Sequence, residues 1–246
     1  MGSEGRIAIV TGAGCGIGRA VAHKLSVNGI KVVVNDVISD HATKTVEQIR
    51  SNGGEATYIQ ADISSWDDAK KLIDKTVETY GTLDILVNNA GITRDKLIRD
   101  MEEEDWDKVL SINLKGAFNC CKFATPIMVE KKYGKIVNLS SRAHLGNPGQ
   151  ANYSSSKAGI LGLTRSMSLE FGRFNINVNA VAPGMVDTEG LKTIPKYDLV
   201  LERAMKITPL KRIGKPEDIA NLVFFLVSEE SSYIAGEVIH ITGGRY

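Results

Sequence analysis

The sequence predicts an α/β fold built on a doubly wound parallel sheet of about seven strands, with helices on both faces. Short runs rich in β-branched residues alternate along the 246 residues with longer segments of helical periodicity. Several of these runs are continuously apolar, which is typical of parallel strands covered on both faces. Because strands and helices alternate, the connections between strands are predicted to be right-handed crossovers.

The individual elements follow from the same patterns. The runs that predict strands are Ile7–Val10, Val32–Val34, Thr57–Ile59, Ile85–Val87, Ile136–Leu139, Val178–Val181 and Val238–Ile241. The segments that predict helices are Ala20–Val27, Ala42–Ile49, Ala69–Val77, Trp106–Met128, Ala158–Phe171 and Ile219–Val227. The stretch Met185–Lys211, with Pro195 and Pro209, is predicted to be irregular. Since it follows a late strand, we expect residues 185–211 to form a substrate lid; an ordinary surface excursion is the alternative.

Length and composition are typical of one globular domain, so residues 1–246 are predicted to form a single domain. Hydrophobic residues make up 43% of the chain and charged residues 24%, which excludes a wholly disordered protein. The 30 Lys and Arg residues nearly balance the 29 Asp and Glu residues. We therefore expect no nucleic-acid partner and no anionic membrane surface.

Cysteine and histidine usage predicts neither a disulfide framework nor a metal site. The three cysteines, Cys15, Cys120 and Cys121, lack C-x-x-C spacing, and the four histidines lack metal-ligand spacing. The chain also has no run of apolar residues long enough to cross a membrane. These observations favour a soluble protein of the reducing cytoplasm.

The first predicted strand leads directly into a glycine-rich turn, Thr11-Gly12-Ala13-Gly14-Cys15-Gly16-Ile17-Gly18. Glycines there let the backbone turn sharply and approach a pyrophosphate, while the following helix offers N–H donors to the phosphates. The literal G-x-G-x-x-G register is absent, and the pattern present is T-G-x-x-x-G-x-G. This context predicts a Rossmann-type fold. The candidate dinucleotide-binding residues in the turn are Gly12, Cys15, Gly16, Ile17 and Gly18.

Asp36 stands at the end of the second predicted strand, beyond the glycine-rich turn. A carboxylate there can accept hydrogen bonds from the adenosine ribose hydroxyls, and it repels a 2′-phosphate. Asp36 and the adjacent Val37 are therefore expected at the adenosine part of the cofactor, and NAD is predicted rather than NADP. The alternative is that Asp36 caps the next helix, but Ser39 and Asp40 are better placed for that.

Further motifs carry a family resemblance. They are Asn88-Asn89-Ala90-Gly91, Tyr153-Ser154-Ser155-Ser156-Lys157 and Pro183-Gly184, together with Asp62, Asn113 and a serine that ends the fifth strand. With the glycine-rich turn, these make the sequence resemble the short-chain dehydrogenase/reductase family over essentially the whole chain. The stretch Gly146–Tyr153 and the ending Gly243–Tyr246 are most similar to the 3-oxoacyl-thioester reductase branch.

The resemblance implies further binding residues and an oligomeric state. Asp62 and Ile63 are expected at the adenine, although Asp62 could instead form a turn at the end of its strand. Residues implied to line the cofactor toward the nicotinamide are Asn89, Ala90, Gly91, Pro183, Gly184, Val186 and Thr188. NADPH-using relatives often carry a basic residue in the glycine-rich turn, where this chain has the neutral Cys15. Family members are commonly tetramers, so a homotetramer is expected, with a hetero-oligomer of related subunits as the alternative.

Tyr153 and Lys157 are the candidate proton-transfer pair. Their spacing of four residues in a helical segment places both on one face. A phenol normally titrates near 10, and a neighbouring ammonium together with the positive nicotinamide ring is expected to lower that pKa. Tyr153 can then exchange a proton with the substrate oxygen, and it also lies, with Lys157, at the cofactor. In the resembled family Asn113 holds a water that links Lys157 to solvent.

Two adjacent serines compete for the role of orienting the substrate oxygen. Counting back from Tyr153 by the usual family spacing gives Ser140, whereas counting forward along the fifth strand from Gly134 gives Ser141. Slipping a strand by one residue moves every side chain to the other face, while a loop absorbs a deletion easily. We therefore favour Ser141 as the catalytic serine, with Ser140 supporting it from the other face of the sheet.

The combined motifs favour an NAD-dependent oxidoreductase that interconverts a secondary alcohol and a ketone. The preferred substrate is a 3-hydroxyacyl-CoA and 3-oxoacyl-CoA pair, so the partner is a small acyl thioester. Alternatives are reduction of 3-oxoacyl groups on acyl carrier protein and oxidation of a small cyclic or aromatic alcohol. A non-catalytic subunit in a mixed oligomer is also considered, but a silent subunit has no physical reason to keep a proton relay.

Overall fold

The computed structural model describes residues 5–193 and 197–245. Within these residues the strands are β1 (Ile7–Thr11), β2 (Lys31–Asp36), β3 (Ala56–Gln60), β4 (Ile85–Asn88), β5 (Gly134–Leu139), β6 (Ile176–Pro183) and β7 (Val238–Ile241). They form one seven-stranded sheet in the order β3-β2-β1-β4-β5-β6-β7, and every pairing is parallel. The predicted fold class is confirmed, and each predicted strand lies within an observed one.

The helices of the described residues connect these strands. They are α1 (Gly16–Ser26), α2 (Ser39–Ser51), α3 (Trp66–Tyr80), α4 (Glu103–Leu110), α5 (Gly116–Lys131), α6 (Ala151–Phe171), α7 (Glu189–Lys192), α8 (Tyr197–Ile207) and α9 (Pro216–Val227). No helix of residues 5–193 or 197–245 is both long and apolar enough to span a membrane.

Two hydrophobic cores lie on opposite faces of the sheet. Val32 and Val34 pack into a core with α1, α2 and α9, whereas Val33 packs into a core with α3, α5 and α6. Since side chains alternate across a strand, a strand covered on both faces favours apolar residues at consecutive positions. This explains why the central strands are continuous apolar runs.

Two predicted segments differ from the structure. The helix predicted over Trp106–Met128 is divided by a π-helical turn at Ser111–Lys115, which hydrophobic periodicity does not reveal. The segment 185–211, predicted to be irregular, contains α7 and α8. Residues 194–196, including Pro195, and Tyr246 lie outside the described residues.

The sheet topology places a crevice above β1. Strand β1 lies between β2 and β4, so the chain winds in opposite directions from this point. In open parallel sheets, ligands bind outside the carboxyl ends of the strands at such a switch point. The glycine-rich turn, Asp36 and Asn89 all lie at this edge, because each is at or beside the carboxyl end of a strand.

Candidate active site

The glycine-rich turn is built on close approaches that a side chain would prevent. Gly12 has a φ of 61°, and a Cβ atom there would lie 2.8 Å from the Cα of Ala90. A Cβ atom on Gly18 would lie 2.2 Å from the carbonyl oxygen of Gly12. The turn therefore packs α1 tightly against β1 and β4, and the backbone N–H groups at the start of α1 point toward the place where an anion would bind.

Polar side chains fasten this turn to the end of β4. The Thr11 hydroxyl accepts hydrogen bonds from the backbone N–H groups of Asn89 and Ala90, at 3.0 and 3.1 Å. The Asn89 amide donates to the carbonyl oxygens of Thr11 and Gly12, at 2.9 and 3.0 Å. The Thr11 hydroxyl was not predicted as a site residue. Its signal in the sequence is a polar residue ending an apolar strand just before the first glycine.

Asp36 closes the other side of the turn. Its carboxylate accepts hydrogen bonds from the backbone N–H groups of Gly14 and Ile38, both at 3.0 Å. Val37 beside it is exposed. Cys15 is exposed at the N-cap of α1, and partial burial together with the Asp36 charge raises the pKa of its thiol. The rim at Asp36 is thus negative, and the thiol of Cys15 is neutral.

The segment after β6 reaches back to this turn. Glu189 accepts hydrogen bonds from the backbone N–H of Gly16 at 3.1 Å and from the Arg19 guanidinium at 2.8 Å. Arg19 also donates to the carbonyl oxygen of Gly14. Thr188 caps α7 by accepting from the N–H of Leu191, and its methyl group lies against Gly16. The sequence did not predict this contact, which joins residues far apart in the chain.

Asp62 and Ile63, which the family resemblance implies at the adenine, have structural contacts of their own. Asp62 accepts hydrogen bonds from the backbone N–H and the hydroxyl of Ser64 through one carboxylate oxygen, so it does form a turn. The Ile63 side chain is buried in the core against Gly116, and its carbonyl oxygen accepts from Asn119. Asp62 remains exposed at the sheet edge, whereas Ile63 is buried.

The proton-transfer residues meet where β5 ends against α6. Tyr153 and Lys157 lie on α6, and the Lys157 ammonium is 5.6 Å from the centroid of the Tyr153 ring. Lys157 donates to the carbonyl oxygen of Leu139 at 2.7 Å. Ser141 hydrogen-bonds the Tyr153 side chain, while the buried Ser140 hydroxyl donates to the carbonyl oxygen of Lys157 at 2.8 Å. The two serines therefore face different partners, and Ser141 is the one at the phenol.

Burial shifts the pKa values of both residues of the pair. In the protein by itself, burial raises the pKa of Tyr153 and Asp95 adds to the rise, whereas the predicted lowering also involves the positive nicotinamide ring. The hydrogen bond with Ser141 acts in the opposite direction. Burial also lowers the pKa of Lys157 to about 8. In the protein by itself Tyr153 is consequently a protonated phenol at neutral pH, ready to donate a proton.

Asn113 sits in the π-helical turn and holds the segment after β4. Its side-chain amide donates to the carbonyl oxygen of Ile92 at 3.0 Å and to the Ser156 hydroxyl at 3.1 Å, and it accepts from the N–H of Ile92 at 2.8 Å. Both N–H groups of the amide are therefore used within the protein. The side chain therefore positions Ile92 and α6 relative to each other.

Eleven of the predicted site residues line one cavity of about 850 Å³ at the carboxyl edge of the sheet. These residues are Ile17, Asn89, Gly91, Ser140, Ser141, Tyr153, Lys157, Pro183, Gly184, Val186 and Thr188. The other predicted residues do not line this cavity. Ala90 and Asn113 lie behind it. The rest follow the sheet edge away from it, and they are Gly12, Cys15, Gly16, Gly18, Asp36, Val37, Asp62 and Ile63. No cluster of potential metal ligands occurs in the described part of the chain.

Charged residues that sequence reasoning did not select also line this cavity. They are Asp95, Arg142, Arg203 and Arg245. Arg142 directly follows Ser141 in the sequence, Arg203 lies on α8, and Arg245 follows β7. The adjacency of Arg142 to the catalytic serine candidate was the available signal, whereas the other two are brought in only by the fold.

Comparison with known proteins agrees with this geometry. A family model described as enoyl-(acyl carrier protein) reductase matches residues 12–245. The chain is 42% identical to the 3-oxoacyl-[acyl-carrier-protein] reductase FabG of Thermotoga maritima, with 99% of each chain covered. It is 46% identical to the FabG of Staphylococcus aureus, with 97% of each covered.

Two further similar proteins are named for other substrates. The (2S)-[(R)-hydroxy(phenyl)methyl]succinyl-CoA dehydrogenase subunit BbsD of Thauera aromatica is 39% identical, over 100% of this chain and 98% of its own. The crystal structure of levodione reductase superimposes with a TM-score of 0.94 at 32% identity, covering 98% of this chain and 97% of the other. The chain therefore belongs to the short-chain dehydrogenase/reductase family and is an oxidoreductase of that type.

Proposed function

We propose that the protein reduces 3-oxoacyl thioesters to 3-hydroxyacyl thioesters, with the acyl group presented on acyl carrier protein. The observation that carries the proposal is the contact between Ser141 and the protonated Tyr153 inside the large cavity. The FabG relatives support the carrier-protein form over the CoA form that the sequence favoured.

The proposed mechanism assigns a separate task to each residue of the relay. Ser141 and Tyr153 donate hydrogen bonds to the ketone oxygen, which steadies the negative charge that develops there. The nicotinamide coenzyme supplies the hydride when bound. Tyr153 then transfers its phenolic proton to the same oxygen, so the product is the neutral alcohol. The Lys157 ammonium stabilises the resulting phenolate, and Asn113 fixes the position of α6 through Ser156.

The coenzyme is proposed to lie along the sheet edge from Asp62 to the cavity. The cradle fits a dinucleotide because Gly12 and Gly18 leave no room for side chains and let the pyrophosphate approach α1. The residues proposed to contact it are Gly12, Cys15, Gly16, Ile17, Gly18, Asp36, Val37, Asp62, Ile63, Asn89, Ala90, Gly91, Tyr153, Lys157, Pro183, Gly184, Val186 and Thr188. Glu189 accepts a hydrogen bond from the backbone N–H of Gly16 in this turn, and its carboxylate would move away when the phosphates bind.

We further propose that this coenzyme is NAD(H). The Asp36 carboxylate stands where a ribose hydroxyl would bind, and its charge opposes a 2′-phosphate. The nearest guanidinium, that of Arg19, is already bonded to Gly14 and Glu189, so it does not offer a counter-charge at this rim. Cys15 supplies none either, because a thiol never carries a positive charge.

A second candidate function is the oxidation of a 3-hydroxyacyl-CoA. The specific observations in its favour are Asp36, since NAD is the usual acceptor in oxidative reactions, and the relative BbsD, which is named for a CoA thioester. The chemistry at Tyr153 is the same in reverse, so the site itself serves either direction.

The segment 185–211 is proposed to act as a lid, because α8 covers the cavity through Arg203 and Glu189 anchors the preceding turn. We also propose a tetramer that packs α5, α6 and the C-terminal strand. Leu169 on α6 and Phe118 on α5 are large apolar side chains that are 79% and 44% exposed, which supports an interface there.

The decisive experiment measures initial rates with 3-oxoacyl groups on acyl carrier protein and on CoA, each with NADH and NADPH. We expect reduction of the carrier-protein substrate with NADH to give the highest kcat/KM. Faster turnover of 3-hydroxyacyl-CoA with NAD would establish the second candidate instead. Absence of turnover with every 3-oxoacyl and 3-hydroxyacyl thioester would refute both, and sedimentation velocity would test the tetramer.

A further inference from the structure

Three arginines converge on the cavity that holds the proton relay. Arg142 follows Ser141 and begins the turn after β5, Arg203 lies on α8, and Arg245 follows β7. They come from three separate parts of the chain and face the same space as Tyr153. A grouping of this kind concentrates positive charge beside the reacting carbon.

Among the described residues these three arginines have no acidic partner, unlike Arg94 and Arg212. Arg94 pairs with Glu104 and Asp105, and Arg212 pairs with Asp218. Within residues 5–193 and 197–245, by contrast, no ion pair joins Arg142, Arg203 or Arg245 to a carboxylate. Their charges are therefore not neutralised by the described part of the chain.

Arg142 and Arg245 are the most constrained of the three. Nε of Arg142 is buried and has no hydrogen-bond partner among the described residues. Burial lowers the pKa of Arg245, and the positive charge of Arg142 lowers it further, so the two guanidinium groups repel each other. Bringing like charges together in a partly buried place costs free energy unless an anion joins them.

Asp95, the acidic side chain that lines the cavity, does not neutralise these arginines. Asp95 accepts a hydrogen bond from Gln150 at 2.7 Å, and its charge acts on Tyr153. The charged residues that line the cavity are otherwise cationic: Arg142, Lys157, Arg203 and Arg245. The cavity is thus short of negative charge on its arginine side.

We infer that the acyl group of the substrate carries a free carboxylate, which Arg142 and Arg245 bind and Arg203 covers from α8. This inference rests on the proposed reduction of 3-oxoacyl thioesters and narrows its substrate class. Guanidinium groups bind carboxylates through two parallel hydrogen bonds, which gives both charge neutralisation and orientation. Phosphates of CoA are the other possible source of anionic oxygen. The pantetheine arm separates them from the thioester by many bonds, whereas Arg142 is adjacent to Ser141.

The test compares matched substrates that differ only in one charge. The probes are N-acetylcysteamine thioesters with 3-oxohexanedioyl, 3-oxoheptanedioyl and 2-(carboxymethyl)-3-oxobutanoyl groups, each as the free carboxylate and as its methyl ester. The same acyl groups on CoA form a second series. Since N-acetylcysteamine has no phosphate, an effect seen in both series must come from the acyl carboxylate.

In the wild type, at least one carboxylate should be reduced with a kcat/KM about tenfold or more above that of its ester, in both series. Arg142→Met and Arg245→Met should each collapse this ratio toward one, mainly through KM, while Arg142→Lys should keep part of it. Arg173→Met is the matched control, because Arg173 is exposed near the amino end of β6 and lies over Phe174. It should leave the ratio unchanged. Thermal melting and NADH titration of each variant establish that it is folded.

Several outcomes would overturn the inference while leaving the proposed function intact. One is equal kcat/KM for carboxylates and esters in the wild type. Another is a carboxylate-to-ester ratio of kcat/KM that stays unchanged in both Arg142→Met and Arg245→Met. An effect confined to the CoA series would assign the arginines to the phosphates of CoA. If neither acids nor esters of any thioester are turned over, the proposed function itself fails, and this inference fails with it.

Discussion

The active-site cavity has two walls that differ in how their polar groups are satisfied. On the relay wall, Lys157 and Ser140 hydrogen-bond backbone carbonyls, and Ser141 hydrogen-bonds Tyr153. On the arginine wall, Arg142 and Arg245 have no acidic partner in the described part of the chain and repel each other. The chain organises the relay by itself, whereas the arginines require a group from outside. The relay wall therefore indicates which reaction the site is proposed to carry out, and the arginine wall indicates which substrates it is proposed to accept.

The largest expected effect is on the relay wall. Tyr153→Phe should lower kcat by about a hundred- to ten-thousandfold, because the ring still fills its place but has no proton to transfer. NADH affinity, measured by fluorescence titration, should stay nearly unchanged. Tyr133→Phe is the control, since Tyr133 lies near the amino edge of the sheet and contacts Glu229. Retention of more than about a tenth of the activity in Tyr153→Phe would remove the general-acid assignment.

The buried ammonium should make stability depend on pH. Because burial lowers the pKa of Lys157 to about 8 from 10.5, the unfolded chain holds a proton there between these pH values that the folded chain has released. The contribution of this residue to the free energy of unfolding should therefore rise with pH across this range, by up to about 3 kcal/mol. The buried thiols of Cys120 and Cys121, whose pKa values burial raises, act in the opposite direction in every variant. Denaturant unfolding at several pH values therefore measures the difference between the wild type and Lys157→Met, which should change across this range.

The exposed substitution Lys44→Met serves as the control for the pH experiment, since it removes one lysine without touching the cavity. It should show the same pH dependence as the wild type. If Lys157→Met and the wild type differ by a constant amount at all these pH values, the ammonium makes no contribution that rises with pH.

Ser140 and Ser141 are expected to have different roles on the relay wall. Ser141→Ala should lower kcat by about a hundredfold or more, because it removes a donor aimed at the substrate oxygen. Ser140→Ala should act chiefly on stability, by about 1 kcal/mol, through the lost hydrogen bond to Lys157. Steady-state kinetics and thermal melts of both variants distinguish these effects. A normal Ser141→Ala enzyme with a crippled Ser140→Ala enzyme would reverse the assignment.

Asp36, at the proposed coenzyme site, shares one property with each wall. Its carboxylate is hydrogen-bonded within the chain, yet it also faces solvent. We expect the wild type to prefer NADH over NADPH by at least about tenfold in kcat/KM, or about 1.4 kcal/mol. Asp36→Ala should erode that preference because it removes both the ribose acceptor and the repulsion of the 2′-phosphate. Asp40→Ala, on the exposed start of α2, should not. Equal use of both coenzymes by the wild type contradicts the NAD proposal.

The smallest expected effect lies on α6 away from either wall. Gly162 is exposed in the helix interior with open space around its Cα in the single chain, so Gly162→Ala should stabilise the separate subunit by about 0.5–1 kcal/mol without changing kcat. At Gly159 of the same helix, a Cβ atom would lie 2.7 Å from Leu114, so Gly159→Ala should gain less or lose stability. Thermal melting compares the two. Equal gains would mean that the packing of α6 against Leu114 is looser than described.

The strands, the glycine-rich turn and the relay pair could be predicted because their signals are local. Val32–Val34 is apolar at each position since both faces of β2 are covered, and that pattern is written in consecutive residues. Tyr153 and Lys157 share a helix face through their spacing alone. The register of β5 also favoured Ser141, which the structure places at the phenol, although its catalytic role stays a prediction.

The remaining features depend on contacts between distant parts of the chain. Local periodicity could not reveal the π-helical turn at Ser111–Lys115, because the apolar pattern continues through it. His144 and His240 looked scattered in the sequence, yet their Nε2 atoms lie 2.8 Å apart once β7 joins the sheet. The rise that burial causes in the pKa of Tyr153 in the protein by itself could not be foreseen either, because burial cannot be read from the spacing of two residues.

The sequence by itself therefore determined the α/β architecture, the glycine-rich turn after β1 and the shared helix face of Tyr153 and Lys157, since hydrophobic periodicity and short motifs act over a few residues. Only the tertiary structure decided which charges meet. Glu189 reaches Gly16 and Arg19 from the far side of the chain, and Arg142, Arg203 and Arg245 share one cavity although long stretches of sequence separate them. Electrostatic forces depend on distance through space and on burial, and both quantities arise only when the chain has folded.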